Sequence, residues 1–333
     1  MSVFIIADIA QAHEGSLGIL HSYIDAVSKT DVDAIKFQTH IAEAESSIHE
    51  PFRVKFSYVD KTRYDYWKRM EFTLEQWKEI KTHCEKVNLE FLSSPFSIAA
   101  VKLLEELNVR KYKIGSGEIT NHLMLEMIAK TGKEIMLSSG ISNYHELDAA
   151  IDLIKQYHNR FMIFQCTSKY PTSAKDVGLN VISEFQDRYK CDTGLSDHSG
   201  SIYPSLAAVA LGAKYIEVHA CFDKQMFGPD STSSLTMEEL KQMTSGVRFI
   251  DEALASKIDK DNISEMQSMK AIFEKSLAVN CDLQKGSTIS FDHLEAKKPA
   301  GYGIKASYYK NVIGKKLKVS KAKYDFLTEE DLI

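Results

Sequence analysis

The sequence has few features that would tie the protein to a membrane, a disulfide framework or a nucleic acid. No apolar run approaches the roughly 20 residues needed to cross a bilayer. The five cysteines are an odd number without a CxxC pair, and most lie in apolar runs typical of buried thiols. A formal net charge of -5 leaves no overall basic surface for nucleic acid. These absences predict a soluble, cytoplasmic protein with no membrane or nucleic-acid partner.

The sequence does contain a regular alternation of short apolar runs with helical patterns. Its 333 residues, 44% of them hydrophobic, are enough for one large domain and one small one. Eight runs have strand character. They are VFIIADIA, DAIKFQTH, residues 90–96, 111–118, 134–140 and 161–168, and two runs within residues 192–223.

Eight strands separated by helices over roughly 250 residues predict an α/β fold, a (β/α)8 TIM barrel. A doubly wound open sheet is the alternative, but it usually carries a GxGxxG turn after its first strand. The sequence has no such turn.

The predicted domains are a barrel over residues 1–256, a polar linker over 257–275 and a small β-rich domain over 276–333. A helix is expected in the linker, around Met269 to Lys275. Within the barrel, the segment from Ile41 to Thr73 is polar and aromatic with few clear elements. Segments of this length are usually lids or disordered loops.

Polar side chains stand at the end of every predicted strand. In a (β/α) barrel, these strand ends and the loops after them form the active site. The candidates are Asp8, His13, Glu14, Lys36, Gln38, Ser93, Ser94, Lys113, Ser116, Glu118, Ser138, Ser139, Ser168, Tyr170, Ser196, Asp197, His198 and His219. The sequence therefore predicts that lysines, hydroxyls, carboxylates and two histidines meet at one mouth.

Lys36 and Lys113 lie in apolar strand runs, and lysines are seldom buried without an anionic partner. We expect a bound phosphate or carboxylate to provide that partner. The glycines of the GSGE turn, Gly115 and Gly117, would let backbone N–H groups approach an anion. The alternative is that each lysine lies just past its strand and extends to solvent.

His198 and His219 end two neighbouring strands joined by a helix, which brings their imidazoles to the same edge. Two imidazoles with open coordination positions suit Mn²⁺ or Mg²⁺ acting as a Lewis acid. The alternative for either histidine alone is a hydrogen-bonded core residue. Asp230, in the FGPD turn, could join the metal or the substrate, or simply belong to an ordinary turn.

Glu118 follows Ser116 by two residues and is a candidate for proton transfer or for holding a polyol. His13 and Glu14 are second choices, because they also fit the start of the first helix, where Ser16 would be the N-cap.

Several motifs, in order and spacing, resemble those of the sialic acid synthases. They are KFQTH, SSPF, YKIGSGE, LSSGIS, CTSKYPT, GLSDHS, IEVH and FGPD. The resemblance continues into AVNCDLQKGSTIS, KKPAGYGI and NVIGKKLK, which are similar to the antifreeze-like (SAF) domain of that family. It implies a transferase that joins phosphoenolpyruvate to a six-carbon 2-acetamido sugar, giving a nine-carbon α-keto acid and phosphate.

The resemblance also implies roles for individual residues. It puts Lys36, Gln38, Ser94, Lys113, Ser116, Ser138 and Ser196 around phosphoenolpyruvate and makes His198 and His219 the metal ligands. It assigns Glu118, Tyr170 and Asp230 to handling of the acceptor sugar and to proton transfer. We predict Glu118, Lys113, His219 and Asp230 as the catalytic residues. It further implies a domain-swapped homodimer, although the tail could equally cap its own barrel.

Three positions depart from the family pattern: Asp8 replaces a glutamate, Ser168 an asparagine, and Lys298 an arginine in a turn one residue longer here. In the family, that arginine contacts the acceptor's N-acetyl group. Lys298 offers a point charge instead of a planar fork. An acceptor with a different substituent, or without the acetamido group, is therefore a hypothesis.

Two other classes of function remain open from the residues alone. A Schiff-base aldolase would use Lys113 or Lys36 as its nucleophile and need no metal. A non-catalytic sugar-binding protein would use its small domain to contact a partner.

Overall fold

The computed structural model describes residues 2–54 and 56–333, which divide into two compact units. The first unit ends at Ser256 and the second begins at Lys257, and each has its own hydrophobic core. Across these described residues, no helix combines the length and the apolar character that a membrane span requires.

The first unit is built on eight parallel strands. They are β1 (Phe4–Asp8), β2 (Ala34–Thr39), β3 (Glu90–Pro95), β4 (Lys111–Ile114), β5 (Glu134–Ser138), β6 (Phe161–Cys166), β7 (Thr193–Asp197) and β8 (Tyr215–Cys221). They pair in the order β3-β2-β1-β8-β7-β6-β5-β4, and β3 packs beside β4. The sheet therefore curves into a nearly closed barrel. This confirms the predicted eight strands and the TIM-like barrel, and the open-sheet alternative is wrong.

Helices alternate with these strands along the chain. In the described part of the first unit they are α1 (Leu17–Val27), α2 (Ala42–Glu45), α3 (Arg63–Met70), α4 (Leu74–Lys86), α5 (Ile98–Glu106), α6 (His122–Ala129), α7 (Tyr144–Lys155), α8 (Asn180–Tyr189), α9 (Tyr203–Ala210) and α10 (Met237–Ala255). Ser16 caps α1 as expected, because its hydroxyl accepts a hydrogen bond from Ile19 N. A short strand, β9 (Leu235–Thr236), pairs with β8 in parallel.

Strand alternation determines what fills the barrel. On β1, Ile5 and Ala7 pack outward against the helices, whereas Ile6 belongs to an apolar cluster inside the barrel. That inner cluster consists of Ile6, Ala34, Leu92, Met136, Met162 and Phe164. Two residues beyond Ile6, Ala34, Leu92 and Met136, the same strand face carries Asp8, Lys36, Ser94 and Ser138. The barrel thus has an apolar layer with a polar layer directly above it.

The segment from Ile41 to Thr73 is not the element-poor loop that the sequence suggested, since it contains α2 and α3. Thr62 and Asp65 form a capping box at the start of α3. Arg69 on α3 pairs with Asp60 at 2.7 Å and with Glu14 at 2.8 Å. These contacts tie the segment to the loop after β1.

The second unit combines α11 (Gln267–Phe273) with the antiparallel strands β10 (Ser276–Val279) and β11 (Leu294–Lys297). The helix begins and ends two residues before the predicted range of Met269 to Lys275. Isolated bridges connect β10 to Lys305 and Phe326, and the core of the unit is aliphatic.

Candidate active site

A small inner cavity of about 60 Å³ lies at the C-terminal ends of the barrel strands. Its polar and charged lining consists of Asp8, Lys36, Gln38, Ser94, Lys113, Ser116, Ser138, Cys166, Tyr170, Ser196, His198, Glu217 and His219. Most of these are the second-layer residues that strand alternation turns inward. The structure therefore brings eleven of the sequence-predicted site residues together, and it adds Cys166 and Glu217.

Alternation also separates the paired serine candidates. Ser94 and Ser138 line the inner cavity, but their neighbours do not: Ser93 Oγ lies 2.7 Å from Thr39 Oγ1, and Ser139 Oγ donates to Gln165. Asp197 likewise points away from the inner cavity and accepts hydrogen bonds from Ser199.

Both inner lysines are buried and paired with protein carboxylates. Lys36 Nζ lies 2.6 Å from Asp8 Oδ2, and Lys113 Nζ lies 3.1 Å from Glu217 Oε1. Burial opposes ionisation of Asp8, but Lys36 and His219 outweigh it and lower the pKa of Asp8 to about 2. The protein itself therefore supplies an anionic partner to each lysine, and the binding of a phosphate or carboxylate ligand here stays a prediction.

Glu217 was missed from the sequence, although its place two residues before His219 on the same strand face could have revealed it. Its Oε1 accepts a hydrogen bond from Ser196 at 3.0 Å and pairs with Lys113. Burial raises the pKa of Glu217, but attraction by Lys113 and Lys36 prevails and lowers it overall. Within the described chain, the buried Oε2 has no hydrogen-bond partner, so it can accept one from a bound molecule.

Ser116 sits on a single 3₁₀ turn, Ser116–Glu118, directly after β4. Its hydroxyl accepts a hydrogen bond from Gly140 N at 3.0 Å. A Cβ at Gly140 would lie 2.3 Å from Ser168 Oγ and 2.5 Å from Ser116 Oγ, so a larger residue there would displace both hydroxyls. Gly115 and Gly117 line the outer cavity, and the approach of their backbone N–H groups to an anion stays a prediction.

His198 and His219 face each other, with ring centroids 5.2 Å apart. His198 Nδ1 lies 2.9 Å from the Thr167 carbonyl oxygen, and its ring stacks on Tyr170. His219 Nδ1 lies 3.6 Å from Asp8 Oδ2. Burial lowers the pKa of His219, whereas for His198 the Cys166 thiol and the Thr167 carbonyl overcome burial and raise the pKa to about 9.

This arrangement fits a divalent metal ion. Metal-binding histidines typically direct one ring nitrogen at a carbonyl or carboxylate and leave the other for the metal. Both rings do so through Nδ1, His198 at the Thr167 carbonyl and His219 toward the Asp8 carboxylate. The remaining nitrogen of each ring is Nε2, and that of His198 lies 3.3 Å from the Tyr170 hydroxyl. Among the described residues, no group of three or more His, Cys, Asp or Glu side chains is placed to hold an ion. Two imidazoles would therefore leave most coordination positions to substrate and water.

A larger outer cavity of about 540 Å³ adjoins the inner one and shares Gln38, Ser116, Tyr170 and His219 with it. The predicted residues Glu118, Ser168 and Asp230 line it. The rest of its polar wall comes mainly from the 41–73 segment, through Glu45, Glu50, Arg53, Arg63 and Trp67. None of these five was predicted from the sequence.

Arg53 connects this wall to the predicted residues. Its guanidinium lies 4.0 Å from the Tyr170 ring centroid and donates to Asp230 Oδ1 at 2.7 Å. Tyr170 in turn stacks on His198. Arg53, Tyr170 and His198 thus form a stack that runs from the outer cavity to the histidine pair.

Glu118 is half-buried and accepts a hydrogen bond from Asn121 Nδ2 at 2.8 Å. Burial raises the pKa of Glu118, and the nearby Glu45 adds to this, although Asn121 acts against it. A carboxyl group with a raised pKa is suited to proton transfer near neutral pH.

Two other candidates lie elsewhere in the first unit, and one belongs to the second unit. His13 is buried and its Nδ1 accepts a hydrogen bond from Gly15 N, while Glu14 pairs with Arg69, so neither lines the two cavities. Lys298 belongs to the second unit, where its ammonium lies 4.4 Å from the ring centroid of Phe273.

Comparison with known proteins gives a consistent set of relatives. A model described as the NeuB family matches residues 23–259. The N,N'-diacetyllegionaminic acid synthase of Campylobacter jejuni subsp. jejuni serotype O:2 is 36% identical over 317 residues, covering 93% of this chain and 94% of the relative. The N-acetylneuraminate-9-phosphate synthase of Homo sapiens is 33% identical over 333 residues, covering 98% and 92%.

Among solved structures, the N-acetylneuraminic acid (sialic acid) synthetase of Leptospira borgpetersenii serovar Hardjo-bovis, crystallised with citrate, superposes with a TM-score of 0.71. It is 28% identical, and the match covers 81% of this chain and 91% of that one.

Proposed function

This chain belongs to the NeuB family, and from that premise we propose that it condenses phosphoenolpyruvate with the aldehyde form of a six-carbon sugar. The products are a nine-carbon sialic-acid-like α-keto acid and inorganic phosphate. One observation carries the proposal: a layer of lysines and serines adjoins the facing pair His198 and His219, next to a cavity large enough for a sugar.

Phosphoenolpyruvate occupies the inner cavity in this proposal. Lys36 and Lys113 attract its phosphate and carboxylate groups, and Ser94, Ser116, Ser138 and Ser196 donate hydrogen bonds to them. Because Asp8 and Glu217 already balance the lysines, the cavity is close to neutral before the ligand binds. The preorganised donors, more than an excess of charge, hold the anion.

His198 and His219 would hold the divalent metal ion, Mn²⁺ or Mg²⁺, which supplies Lewis-acid polarisation of a carbonyl oxygen. The sugar lies in the outer cavity, where Tyr170, Ser168 and Asp230 orient it so that its aldehyde carbon faces C3 of phosphoenolpyruvate.

A new bond forms between C3 and the aldehyde carbon, the aldehyde oxygen takes up a proton to become a hydroxyl, and positive charge develops at C2. Water adds to C2 and gives up a proton. The tetrahedral product then loses phosphate by cleavage of the bond between C2 and the phosphate oxygen, while its C2 hydroxyl gives up its proton and becomes the keto group. Glu118 takes a proton in these steps, because its raised pKa suits that role. Glu217 is the second candidate, because its Oε2 is buried without a partner among the described residues.

The lysine pairing argues against a Schiff-base aldolase. Such an enzyme needs a neutral amine, with its pKa depressed by burial or by nearby cations. Burial alone would lower the pKa of Lys36, but the attraction of Asp8 and Glu217 raises it overall. Lys113 donates to Ser138 and pairs with Glu217, so its nitrogen is engaged as a donor.

The decisive experiment measures phosphate release and product mass with phosphoenolpyruvate, Mn²⁺ and a panel of acceptors. The panel contains N-acetylmannosamine, mannose and 2,4-diacetamido hexoses. We expect metal-dependent release with a 2-acetamido sugar. Borohydride trapping of a substrate adduct with full activity after chelation would establish the aldolase instead. No release with any acceptor would favour a sugar-binding protein.

We further propose that the second unit is an SAF-like domain, that Lys298 contacts the acceptor, and that the protein is a cytoplasmic domain-swapped homodimer. The basis is the sequence resemblance of the tail. Mixing a chain truncated after Ser256 with a full-length His198→Ala chain tests the exchange. Activity that returns only in the mixture supports it, and activity of the truncated chain alone contradicts it.

A further inference from the structure

Gln38 lies where the inner and outer cavities meet, since it lines both. Its side-chain amide has an oxygen that accepts hydrogen bonds and an NH₂ group that donates them. The orientation of the amide therefore decides whether Gln38 attracts or repels an anion in the inner cavity.

Gln11 occupies the Gln38 oxygen. Gln11 Nε2 donates a hydrogen bond to Gln38 Oε1 and lies 3.1 Å from His40 Nε2. His40 Nδ1, on the other side of its ring, lies 2.6 Å from Glu45 Oε1. If His40 donates from Nδ1 to Glu45, its Nε2 accepts from Gln11. The two Gln11 protons are then used by His40 and by the Gln38 oxygen.

The other end of this chain of hydrogen bonds is held in place. His40 is 4% exposed and sits between the rings of Trp67 and Phe96, whose centroids lie 4.1 and 4.6 Å from its own. The second oxygen of Glu45 accepts a hydrogen bond from Ile41 N at 3.1 Å. Neither His40 nor Glu45 can turn without losing these contacts.

The Gln38 NH₂ group is left for a ligand. In the part of the chain that the structure describes, Gln38 Nε2 makes no hydrogen bond to the protein, whereas Gln38 Oε1 accepts one from Gln11. The donor end of the amide is thus available in a cavity that also presents Lys36 and Lys113.

We propose that Glu45, His40 and Gln11 are positioning residues that fix the Gln38 amide, so that its NH₂ group donates to bound phosphoenolpyruvate. The identity of that anion rests on the proposed function. Glu45 carries the same charge sign as the ligand, yet in this relay it strengthens anion binding without touching the anion.

Calorimetric titration of phosphoenolpyruvate into the full chain with Mn²⁺, without sugar, tests the relay. Gln38→Leu removes the donor, and we expect about tenfold weaker binding. Gln11→Leu frees the amide to turn, so several-fold weaker binding is expected. Gln11→Glu can only accept hydrogen bonds and draws the Gln38 NH₂ toward itself, so it should weaken binding more than Gln11→Leu.

A double variant, Gln11→Leu with Gln38→Leu, should bind no more weakly than Gln38→Leu alone, because the first residue acts only through the second. In turnover, KM for phosphoenolpyruvate should rise while KM for the sugar stays within about twofold. Gln156→Leu, an exposed glutamine at the end of α7, is the matched control, and thermal unfolding shows whether each variant is folded.

If both folded Gln11 variants bind phosphoenolpyruvate as tightly as the unaltered protein, the relay is wrong. It is also wrong if the variants change only KM for the sugar. Binding by the unaltered protein without phosphate release in the presence of any acceptor overturns the proposed function alone. Absence of phosphoenolpyruvate binding to the unaltered protein overturns both.

Discussion

The inner and outer cavities adjoin each other, yet they are built from different parts of the first unit. The inner cavity takes its charged groups mainly from strand ends. Lys36 on β2 pairs with Asp8 on the neighbouring β1, and Lys113 on β4 pairs with Glu217 on β8, across the barrel. The outer cavity takes much of its wall from the 41–73 segment, through side chains such as Arg53 and Trp67.

The two cavities therefore differ in what fixes the positions of their side chains. Strand register fixes the spacing of the inner groups, so changes in loops leave that layer unaltered. The outer wall depends on loop contacts such as the 2.7 Å pair between Arg53 and Asp230, which can change without disturbing the barrel. We infer that the inner cavity determines the chemistry and the outer cavity determines the choice of acceptor.

The largest effect should come from breaking an inner pair. Lys113→Met leaves Glu217 buried and unpaired, which should lower the free energy of unfolding by about 3 kcal/mol. Activity should fall about a thousandfold, because a donor to the anion is lost. Urea unfolding and phosphate release measure the two effects.

The double variant Lys113→Met with Glu217→Gln separates the two causes. It removes the unpaired charge, so stability should recover while activity does not. Recovery of activity in the double variant would show that Lys113 serves only the fold.

The next effect concerns the metal. His198→Ala and His219→Ala should each weaken Mn²⁺ binding more than a hundredfold, since each would remove one of the two proposed protein ligands. Electron paramagnetic resonance of free Mn²⁺ gives the affinity without any turnover. His83→Ala on α4, away from both cavities, is the control and should bind Mn²⁺ normally. Unchanged affinity in the His198 and His219 variants would contradict the assignment.

Glu118→Gln tests a group that lies in the outer cavity but serves the chemistry. We expect about a hundredfold lower kcat. The folded-state pKa of Glu118 is raised above its ordinary 4.5, so activity of the unaltered protein should fall as the pH drops through that raised value. The variant should lack this acidic limb in its pH–rate profile. Retention of the limb would point to Glu217, and Glu217→Gln would then be the variant to compare.

The smallest effect should come from the outer wall. Arg53→Ala removes the guanidinium over Tyr170 and leaves Asp230 without its partner, so KM for the sugar should rise about tenfold. KM for phosphoenolpyruvate should stay unchanged, because the inner cavity does not contain Arg53. Arg53→Lys should restore only part of the loss. Equal changes in the KM values for the two substrates would contradict the proposed division of roles between the cavities.

The same division explains what the sequence could predict. Alternation placed Asp8, Lys36 and His219 on the inner face, because a strand period of two applies to every barrel strand. Alternation could not decide between adjacent serines such as Ser93 and Ser94, because a shift of one residue moves a side chain to the opposite face of the strand. Glu217 was within reach of the same rule.

Arg53 and Trp67 were beyond sequence reasoning for a different reason. Their positions depend on how the 41–73 segment folds, and that fold rests on pairs with distant residues, such as Arg69 with Glu14. Local propensity does not specify such contacts. The charge balance of Lys36 by Asp8 was also hidden, because it requires the register of the first two strands, which places Asp8 beside Lys36.

The stacking of Trp67 against His40 gives the protein an optical reporter. The chain has two tryptophans, and Trp77 is 1% exposed in the core, whereas Trp67 lines the outer cavity. A Trp77→Phe variant would therefore emit from Trp67 alone. The fluorescence of Trp67 would change far more when a sugar binds in the outer cavity than when an anion binds in the inner one. Fluorescence titrations with each substrate added first would therefore give the order of binding.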